Sequence, residues 1–280
     1  MTSSFFTTSS GTKTHFLRSG TLSGPLLVCL HGLGGSTETF APLLPSLPTS
    51  HDIVLVDFQG FGVTPLTDPS KPLFVSGHVA DLHDLITSLQ AAKTSPSPVT
   101  LIGHSLGGVV SLHYAAAHPD VVGGLLLLAP GRSAGHIPVV KQRMLDLGSA
   151  AREKGVGFAA DIAAKSNFYE DTPERAVDPE AREAVRRAVA ASDAEGYART
   201  CEAMVDESHK DPEYRNIKCP SVFIAGDKDM IAAAEKVRDL STLVGGSVKF
   251  VMVQSGHQPI LEDLEGVKDA VTALFEGKLQ

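Results

Sequence analysis

The chain has 280 residues, of which 42% are hydrophobic and 20% charged, an ordinary globular composition that fits neither a disordered nor a fibrous protein. The formal net charge of −8 at pH 7, with Lys and Arg scattered, argues against nucleic acid or an anionic membrane as a partner, because phosphates bind clustered basic faces. The sequence shows neither an apolar run of about 18 residues that could span a membrane nor a secretory signal pattern, so we expect a cytoplasmic protein.

Six strongly apolar runs predict strands, in the order Leu26–Leu30, Ile53–Val56, Val99–Ile102, Gly124–Leu128, Ser221–Ala225 and Val248–Val253. Helical patterns accompany them at Val79–Leu89, Gly107–Ala117, Ala232–Leu243 and Val267–Phe275. Fully apolar strands that alternate with helices are typical of a mostly parallel sheet with helices on both faces. The sequence therefore predicts a doubly wound α/β fold.

The stretch between the fourth and fifth runs breaks this alternation. It contains no convincing strand, and charged and apolar residues recur there at helical spacing in Val139–Lys154, Pro179–Ala191 and Glu195–Glu207. We therefore predict a core domain formed by residues 1–131 and 217–280. Residues 132–216 are predicted to be a helical cap inserted over the edge of the sheet.

The first candidate functional motif follows the third apolar run, where Gly103–Gly107 reads Gly-His-Ser-Leu-Gly. The pattern Gly-x-Ser-x-Gly is typical of a serine on a sharp strand-to-helix turn, with small flanking residues that let neighbouring backbone approach closely. Such a turn raises the hydroxyl above the sheet, near the positive end of the following helix. Ser105 is therefore the candidate nucleophile.

A serine nucleophile requires a base that takes its proton, and the base requires an orienting acceptor. His257 follows the last apolar run through a Ser-Gly turn, and Asp229 follows the fifth run through a short loop. The chain order Ser105, Asp229, His257 is the order expected for a nucleophile on such a turn. Asp227 or Asp229 could instead cap the following helix, and the spacing from Gly226 favours Asp229 over Asp227 as the orienting acid.

The glycine-rich loop His31–Gly35, after the first run, supplies the remaining part of the predicted site. Acyl transfer develops negative charge on a carbonyl oxygen, which two backbone N–H groups can stabilise. The N–H groups of Leu33 and Leu106 are the candidates for this oxyanion hole. A phosphate-binding role fits the loop poorly, because it has no lysine and no Gly-x-Gly-x-x-Gly spacing.

The cysteines and most of the eleven histidines are predicted to be structural. Cys29 and Cys219 lie in or beside apolar runs, Cys201 lies in a helical stretch, and no spacing among the three indicates a metal site. His31 and His104 are expected to support the turns in which they occur.

Together these residues resemble the α/β-hydrolase family over nearly the whole chain. The matching features are His31–Gly32, Asp57–Gly62, Gly103–Gly108, Gly226–Asp229, and Gly256–His257 with Leu261–Asp263. The resemblance implies an eight-stranded, mostly parallel sheet with a helical cap, and no cofactor or metal. Gln59 and Phe61 replace the arginine and histidine of the common Asp-x-Arg-Gly-His-Gly pattern, a departure that concerns the hydrogen bonds of that loop rather than the catalytic residues.

Within the family, the cap segment Asp193–Met204 is similar to that of the 3-oxoadipate enol-lactonases and related ester and lactone hydrolases. Those lactonases often lack the His-Gly pair present here, so the resemblance implies a reaction class and not a substrate. Related epoxide hydrolases and haloalkane dehalogenases have an aspartate where Ser105 stands, which disfavours both of those activities.

The expected activity is hydrolysis of a carboxylic ester or lactone of a small, partly hydrophobic substrate through an acyl-enzyme. Phe40, Met144, Phe168 and Tyr169 are predicted to line the substrate pocket. A thioesterase or a carbon–carbon bond hydrolase would use the same triad, and a ligand sensor with slow turnover would use the same pocket. The sequence leaves open the identity of the substrate and the formation of a homodimer.

Overall fold

Eight strands form one sheet in the computed structural model, which describes residues 1–278. The strands are β1 (Thr2–Thr7), β2 (Lys13–Gly20), β3 (Leu26–Leu30), β4 (Asp52–Val56), β5 (Val99–His104), β6 (Val122–Leu128), β7 (Ser221–Gly226) and β8 (Val248–Val253). Their order is β1-β2-β4-β3-β5-β6-β7-β8, with β2 antiparallel to both of its neighbours and all other pairs parallel. The predicted mostly parallel, eight-stranded α/β architecture is confirmed; the last two residues of the predicted core range lie outside the described residues.

The six apolar runs correspond to β3 to β8, whereas the residues did not predict β1 and β2, which pair antiparallel. Every residue of β3, β4 and β7 is buried, because helices cover both faces of the sheet there. In β1 exposed residues outnumber half-buried ones, since this strand lies at the edge of the sheet. An edge strand of this kind has no continuous apolar run, and the sequence TSSFFT does not separate it from a polar loop.

The α-helices of the described residues are α1 (Val75–Ala91), α2 (Leu106–Ala117), α3 (Pro138–Lys154), α4 (Val156–Ser166), α5 (Pro179–Ala190), α6 (Ala194–Met204), α7 (Ala234–Ser241), α8 (Pro259–Glu262) and α9 (Leu264–Phe275). Short 3₁₀ segments occur at Thr37–Phe40, Leu44–Ser46 and Tyr214–Asn216. Within residues 1–278, no helix combines the length and the apolar character that crossing a membrane requires.

Two hydrophobic clusters cover the two faces of the sheet. In β3, Val28 belongs to the cluster that includes α1, α2 and α7, whereas Cys29 belongs to the cluster that includes α9 and the segment Thr37–Phe40. This alternation follows from the period of two residues in a strand. Burial on both faces makes the sheet a rigid base for the loops at the carboxyl ends of its strands.

Between β6 and β7, residues 132–216 form α3 to α6 and the 3₁₀ segment Tyr214–Asn216, and no strand. We call residues 132–216 the cap. Helix α4 was not predicted, because the sequence of Val156–Ser166 is rich in Ala and lacks the alternating charged residues that revealed the other three helices. Gly155, with φ 84°, separates α4 from α3.

Candidate active site

Ser105 lies at the turn between β5 and α2, with backbone angles φ 49° and ψ −112°. A positive φ is uncommon for a residue with a side chain, and such strain costs about 1–3 kcal/mol. Neighbouring hydrogen bonds hold the turn: the Ser105 N–H donates to the carbonyl of Leu128 at 2.9 Å, and the Ser105 carbonyl accepts from the N–H of Val109 at 3.0 Å. The conformation is therefore the strained strand-to-helix turn that the Gly-x-Ser-x-Gly motif predicts.

The two glycines of the motif are required by close backbone contacts. A Cβ atom on Gly103 would lie 2.4 Å from the carbonyl oxygen of Gly107, and a Cβ on Gly107 would lie 1.9 Å from the carbonyl oxygen of Leu30. Both distances are too short for non-bonded atoms. The glycines thus let α2 begin directly against β3 and β5, which fixes the position of Ser105 above the sheet.

The three predicted triad residues lie in one chain of hydrogen bonds. His257 Nε2 is 2.9 Å from Ser105 Oγ, and His257 Nδ1 is 2.8 Å from Asp229 Oδ2. Because a carboxylate only accepts hydrogen bonds, Nδ1 carries the proton and Nε2 is free to accept the hydrogen of the serine hydroxyl. Asp229 and His257 are both buried, so water competes little for these bonds.

The environment of Asp229 keeps it charged, and that of Asp227 gives it a different partner. Burial would raise the pKa of the Asp229 carboxyl, but His257 and the N–H groups of Ala232 and Ile231 hold that pKa below its usual range. Asp227 instead pairs with Arg175 of the cap, with 2.7 Å between Nη1 and Oδ2. The geometry therefore brings Asp229, and not Asp227, to the histidine.

Two neutral histidines support the turns around the triad. Burial, followed by the proximity of His257, lowers the pKa of His104 to about 4, and its Nε2–H donates to the carbonyl of His257 at 2.8 Å. Burial also lowers the pKa of His31, whose Nδ1–H donates to the carbonyl of Gly32 at 2.7 Å and whose Nε2 accepts from the N–H of Phe58 at 3.0 Å. Both side chains occupy the supporting positions that the sequence predicted.

The loop that carries Leu33 lies against the serine turn. A Cβ on Gly32 would be 3.1 Å from the Cβ of Ser105, so the loop and the turn are in direct contact. Within residues 1–278, the N–H groups of Leu33 and Leu106 have no hydrogen-bond acceptor. An oxyanion hole requires two such free amides on segments that meet at the nucleophile.

The departure from the common family pattern has a local explanation. The side chain of Gln59 donates to Thr12 Oγ1 and accepts from the N–H of Thr67, each at 2.9 Å. Phe61 is buried, and its ring makes an edge contact with His31 at 5.5 Å between centroids. Gln59 thus ties its loop to the β1–β2 region by hydrogen bonds, and Phe61 packs against the histidine that supports the Leu33 loop.

A cavity of about 500 Å³ opens between the loop that carries Leu33 and the cap. Its lining includes Leu33 and His104 from the core and small apolar side chains of α5, namely Ala184, Val185, Ala188 and Val189. Arg187, more than half exposed, also contributes to its wall. The cavity therefore reaches the immediate neighbours of Ser105 and presents a mainly apolar surface.

None of the four side chains predicted to line the pocket belongs to the lining of this cavity. The ring of Phe40 is fully buried in the cluster that includes α9, although its chain neighbours Thr39 and Ala41 line the cavity. Phe168 is buried under the guanidinium of Arg182, Tyr169 stacks under Arg175, and Met144 packs against the core cluster. Large apolar residues here form the core, and the cavity exists where side chains are small.

Sequence reasoning also missed three residues that contact the catalytic loops. Arg175 of the cap pairs with Asp227, the carbonyl of Asn167 accepts from the N–H of His257 at 2.7 Å, and Glu262 accepts from the N–H groups on either side of His257. A partial signal was present for Glu262, which lies in the segment Leu261–Asp263 that carried the resemblance. Asn167 and Arg175 carried no such signal, because their contacts depend on where the folded cap places their backbone.

No group of three or more His, Cys, Asp or Glu in residues 1–278 is arranged to hold a metal ion. All three cysteines are buried free thiols, and burial raises the pKa of each. Their thiolate fraction at neutral pH is therefore even smaller than that of an exposed thiol, which suits packing rather than nucleophilic chemistry.

A family model described as "Alpha/beta hydrolase family" matches residues 27–270. A pimeloyl-[acyl-carrier protein] methyl ester esterase of Xanthomonas axonopodis pv. citri is 30% identical over 263 residues, covering 89% of this chain and 94% of that protein. A 2-hydroxy-6-oxo-6-(2'-aminophenyl)hexa-2,4-dienoic acid hydrolase of Metapseudomonas resinovorans is 23% identical and covers 96% and 90%. The match to the serine hydrolase-like protein of Homo sapiens, 32% identical, spans 39% of this chain and 51% of that protein.

Solved structures share the fold along its whole length. A thermophilic esterase from Thermogutta terrifontis superposes with a TM-score of 0.83 at 22% identity, covering 100% of this chain and 99% of that one. The enol-lactonase from Burkholderia xenovorans LB400 gives a TM-score of 0.81 at 23% identity, covering 98% and 100%. At these identities the comparison establishes the architecture.

Asp229 and Asp227 lie two residues apart on the same loop, but only Asp229 contacts His257, so Asp227 can serve as a control for mutation of Asp229. We predict that Asp229→Asn lowers kcat by about a thousandfold or more, because the amide no longer holds the productive histidine tautomer. Asp227→Asn loses only a partly exposed ion pair, so its kcat should stay within about threefold of wild type. Steady-state hydrolysis by both folded variants checks this, and the reverse ranking would exclude Asp229 as the orienting acid.

Proposed function

The chain belongs to the alpha/beta hydrolase family, and from that premise we propose that it is a serine hydrolase of carboxylic esters or lactones. The observation that carries the proposal is the continuous hydrogen-bond chain from Asp229 through His257 to Ser105. We assign the second requirement of acyl transfer, stabilisation of the oxyanion, to the amides of Leu33 and Leu106, which have no other acceptor in residues 1–278. The supporting comparisons are with proteins named as esterases, a lactonase and related hydrolases.

In the proposed acylation step, Ser105 Oγ attacks the carbonyl carbon while its proton passes to His257 Nε2. The carbonyl oxygen becomes an oxyanion and accepts hydrogen bonds from the amides of Leu33 and Leu106. Asp229 stabilises the positive charge that develops on the imidazole and holds the ring by its Nδ1–H. His257 then gives its proton to the leaving alkoxide, and the C–O bond breaks.

Deacylation repeats these roles with water as the nucleophile. His257 Nε2 takes a proton from the water as it attacks the acyl carbon of the Ser105 ester, and the oxyanion forms again at the same two amides. The proton returns to Ser105 Oγ as the acid product leaves.

The dimensions and lining of the cavity support a small, partly hydrophobic substrate. A volume of about 500 Å³ falls within the range of ordinary small-molecule pockets. The small apolar residues of α5 leave this space, and Arg187 and Glu38 supply charge in its wall. We propose that the apolar part of the substrate lies against α5, with its reacting carbonyl at Ser105.

Carbon–carbon bond hydrolysis is the second candidate function. The observation that favours it is the similarity, over 96% of this chain, to a relative named as a 2-hydroxy-6-oxo-6-(2'-aminophenyl)hexa-2,4-dienoic acid hydrolase. The same triad would serve a carbon leaving group. Thioester hydrolysis and ligand sensing with slow turnover are distinguished from ester hydrolysis by the experiment that follows.

We predict that the wild-type protein hydrolyses members of a panel of p-nitrophenyl acetate, butyrate and octanoate, two lactones and one thioester. Because the serine is the proposed nucleophile, Ser105→Ala should lose at least about a thousandfold in rate. A dienoic carbon–carbon substrate is included to test the second candidate. A folded wild-type protein that binds these compounds without turnover would support the sensor instead.

A second prediction concerns the apolar wall formed by α5. We expect Ala188→Phe to fill part of the cavity and to lower kcat/KM for the octanoate ester by about tenfold or more, while acetate changes by less than about twofold. Ala190→Phe is the matched control, because Ala190 is exposed on the same helix and does not line the cavity. Equal losses for both esters, or for both variants, would contradict this assignment of the wall.

A further inference from the structure

Glu262, at the end of α8, contacts the loop that carries His257. Its Oε2 accepts hydrogen bonds from the N–H of Gly256 at 2.9 Å and from the N–H of Gln258 at 3.3 Å. These are the residues on either side of His257. One carboxylate oxygen therefore holds the backbone before and after the catalytic base without touching its imidazole.

The remaining backbone groups of this turn are fixed from two other directions. The N–H of His257 donates to the carbonyl of Asn167 in the cap at 2.7 Å, and the carbonyl of His257 accepts from His104 Nε2 at 2.8 Å. The N–H groups of Gly256, His257 and Gln258 thus all have hydrogen-bond acceptors. Glu262 supplies two of the three from a single side chain, which makes it the side chain on which the turn most depends.

We propose that Glu262, in its ionised form, is a positioning residue for His257, fixing the turn so that Nε2 stays aligned with Ser105. The proposal rests on the proposed function, because it assigns His257 the role of general base. A rigid base within hydrogen-bond distance of the nucleophile is needed for proton transfer, and displacements near 1 Å are enough to slow such steps greatly.

The surroundings of Glu262 support this assignment, because they make its charge costly. Burial raises the pKa of Glu262 to about 7, although the amides of Gly256 and Gln258 and the guanidinium of Arg175 lower it; nearby Asp229 raises it. Its other oxygen, Oε1, is buried and has no hydrogen-bond partner within the described part of the chain. The amides of Gly256 and Gln258 thus favour the ionised form of Glu262 against the effect of burial, which links the charge of Glu262 to the position of the turn.

The pH dependence follows from these charges. The charged groups that act on Glu262 are Arg175 from the cap and Asp229 from the loop after β7; Asp263, the next residue, points its carboxylate at the amide of Gly266 instead. As the pH falls through about 7, Glu262 takes up a proton and becomes a weaker acceptor for both amides. The alignment of His257 should therefore weaken on the acid side.

The test compares Glu262→Ala and Glu262→Gln with Glu265→Gln, an exposed glutamate on α9 whose side chain is 83% exposed. We expect Glu262→Ala to lower kcat, and the rate of Ser105 labelling by a fluorophosphonate, by about tenfold or more, with KM within about twofold. Glu262→Gln keeps an acceptor oxygen and should lie between Glu262→Ala and wild type. Glu265→Gln should match wild type throughout.

The pH profile and amide exchange separate positioning from a general loss of structure. Neutral glutamine resembles protonated glutamate, so the ratio of wild-type to Glu262→Gln activity should be large at pH 8 and approach one below about pH 6. Hydrogen exchange measured by NMR should be faster at Gly256 and Gln258 in Glu262→Ala, with the melting temperature little changed. If Glu262→Ala does not fold, the pH ratio for Glu262→Gln decides the question.

Labelling at the wild-type rate in Glu262→Ala, with both amides still protected, would overturn the proposal. A pH-independent ratio for Glu262→Gln, or a loss confined to KM, would overturn it as well. If wild-type protein is neither labelled nor active, the proposed function fails instead. Amide exchange still tests the contact of Glu262 with the turn in that case, so the two failures remain distinguishable.

Discussion

The left-handed backbone of Ser105 is the constraint on which the rest of the site depends. It requires glycine at positions 103 and 107, because any larger residue would collide with the backbone of the turn or of β3. This backbone conformation places the hydroxyl beyond the carboxyl ends of the parallel strands, where the loops after β7 and β8 carry Asp229 and His257. Strain at this turn is thus offset by a sheet buried on both faces.

The cap contributes to the geometry of the triad as well as to the cavity. The carbonyl of Asn167 holds the amide of His257, and Arg175 holds Asp227 two residues before the orienting acid. Both contacts join the inserted helices to loops of the core. The same insertion therefore shapes the space for the substrate and, through the carbonyl of Asn167, holds the loop that carries the base, so changes near Asn167 would alter the rate as well as binding.

The sequence predicted those parts of the structure that depend on local rules. Apolar runs revealed β3 to β8, and Gly-x-Ser-x-Gly revealed the turn at Ser105, because burial and close approach leave few residue choices there. It missed β1, β2 and α4, whose sequences lack a clear period. It assigned Phe40 to the pocket, although that ring is fully buried in the cluster that includes α9. Cavities arise where side chains are small, and Ala184 and Ala188 give no sign of this until α5 is placed over the Leu33 loop.

The central claim is that Ser105 forms the acyl-enzyme, and the most direct test is mass spectrometry of protein quenched in acid during turnover of p-nitrophenyl butyrate. Peptide mapping should find the butyryl group on the peptide that contains Ser105, with the adduct absent from Ser105→Ala and unaffected by Asp227→Asn. An adduct on another residue, or continued turnover by Ser105→Ala, would contradict the account.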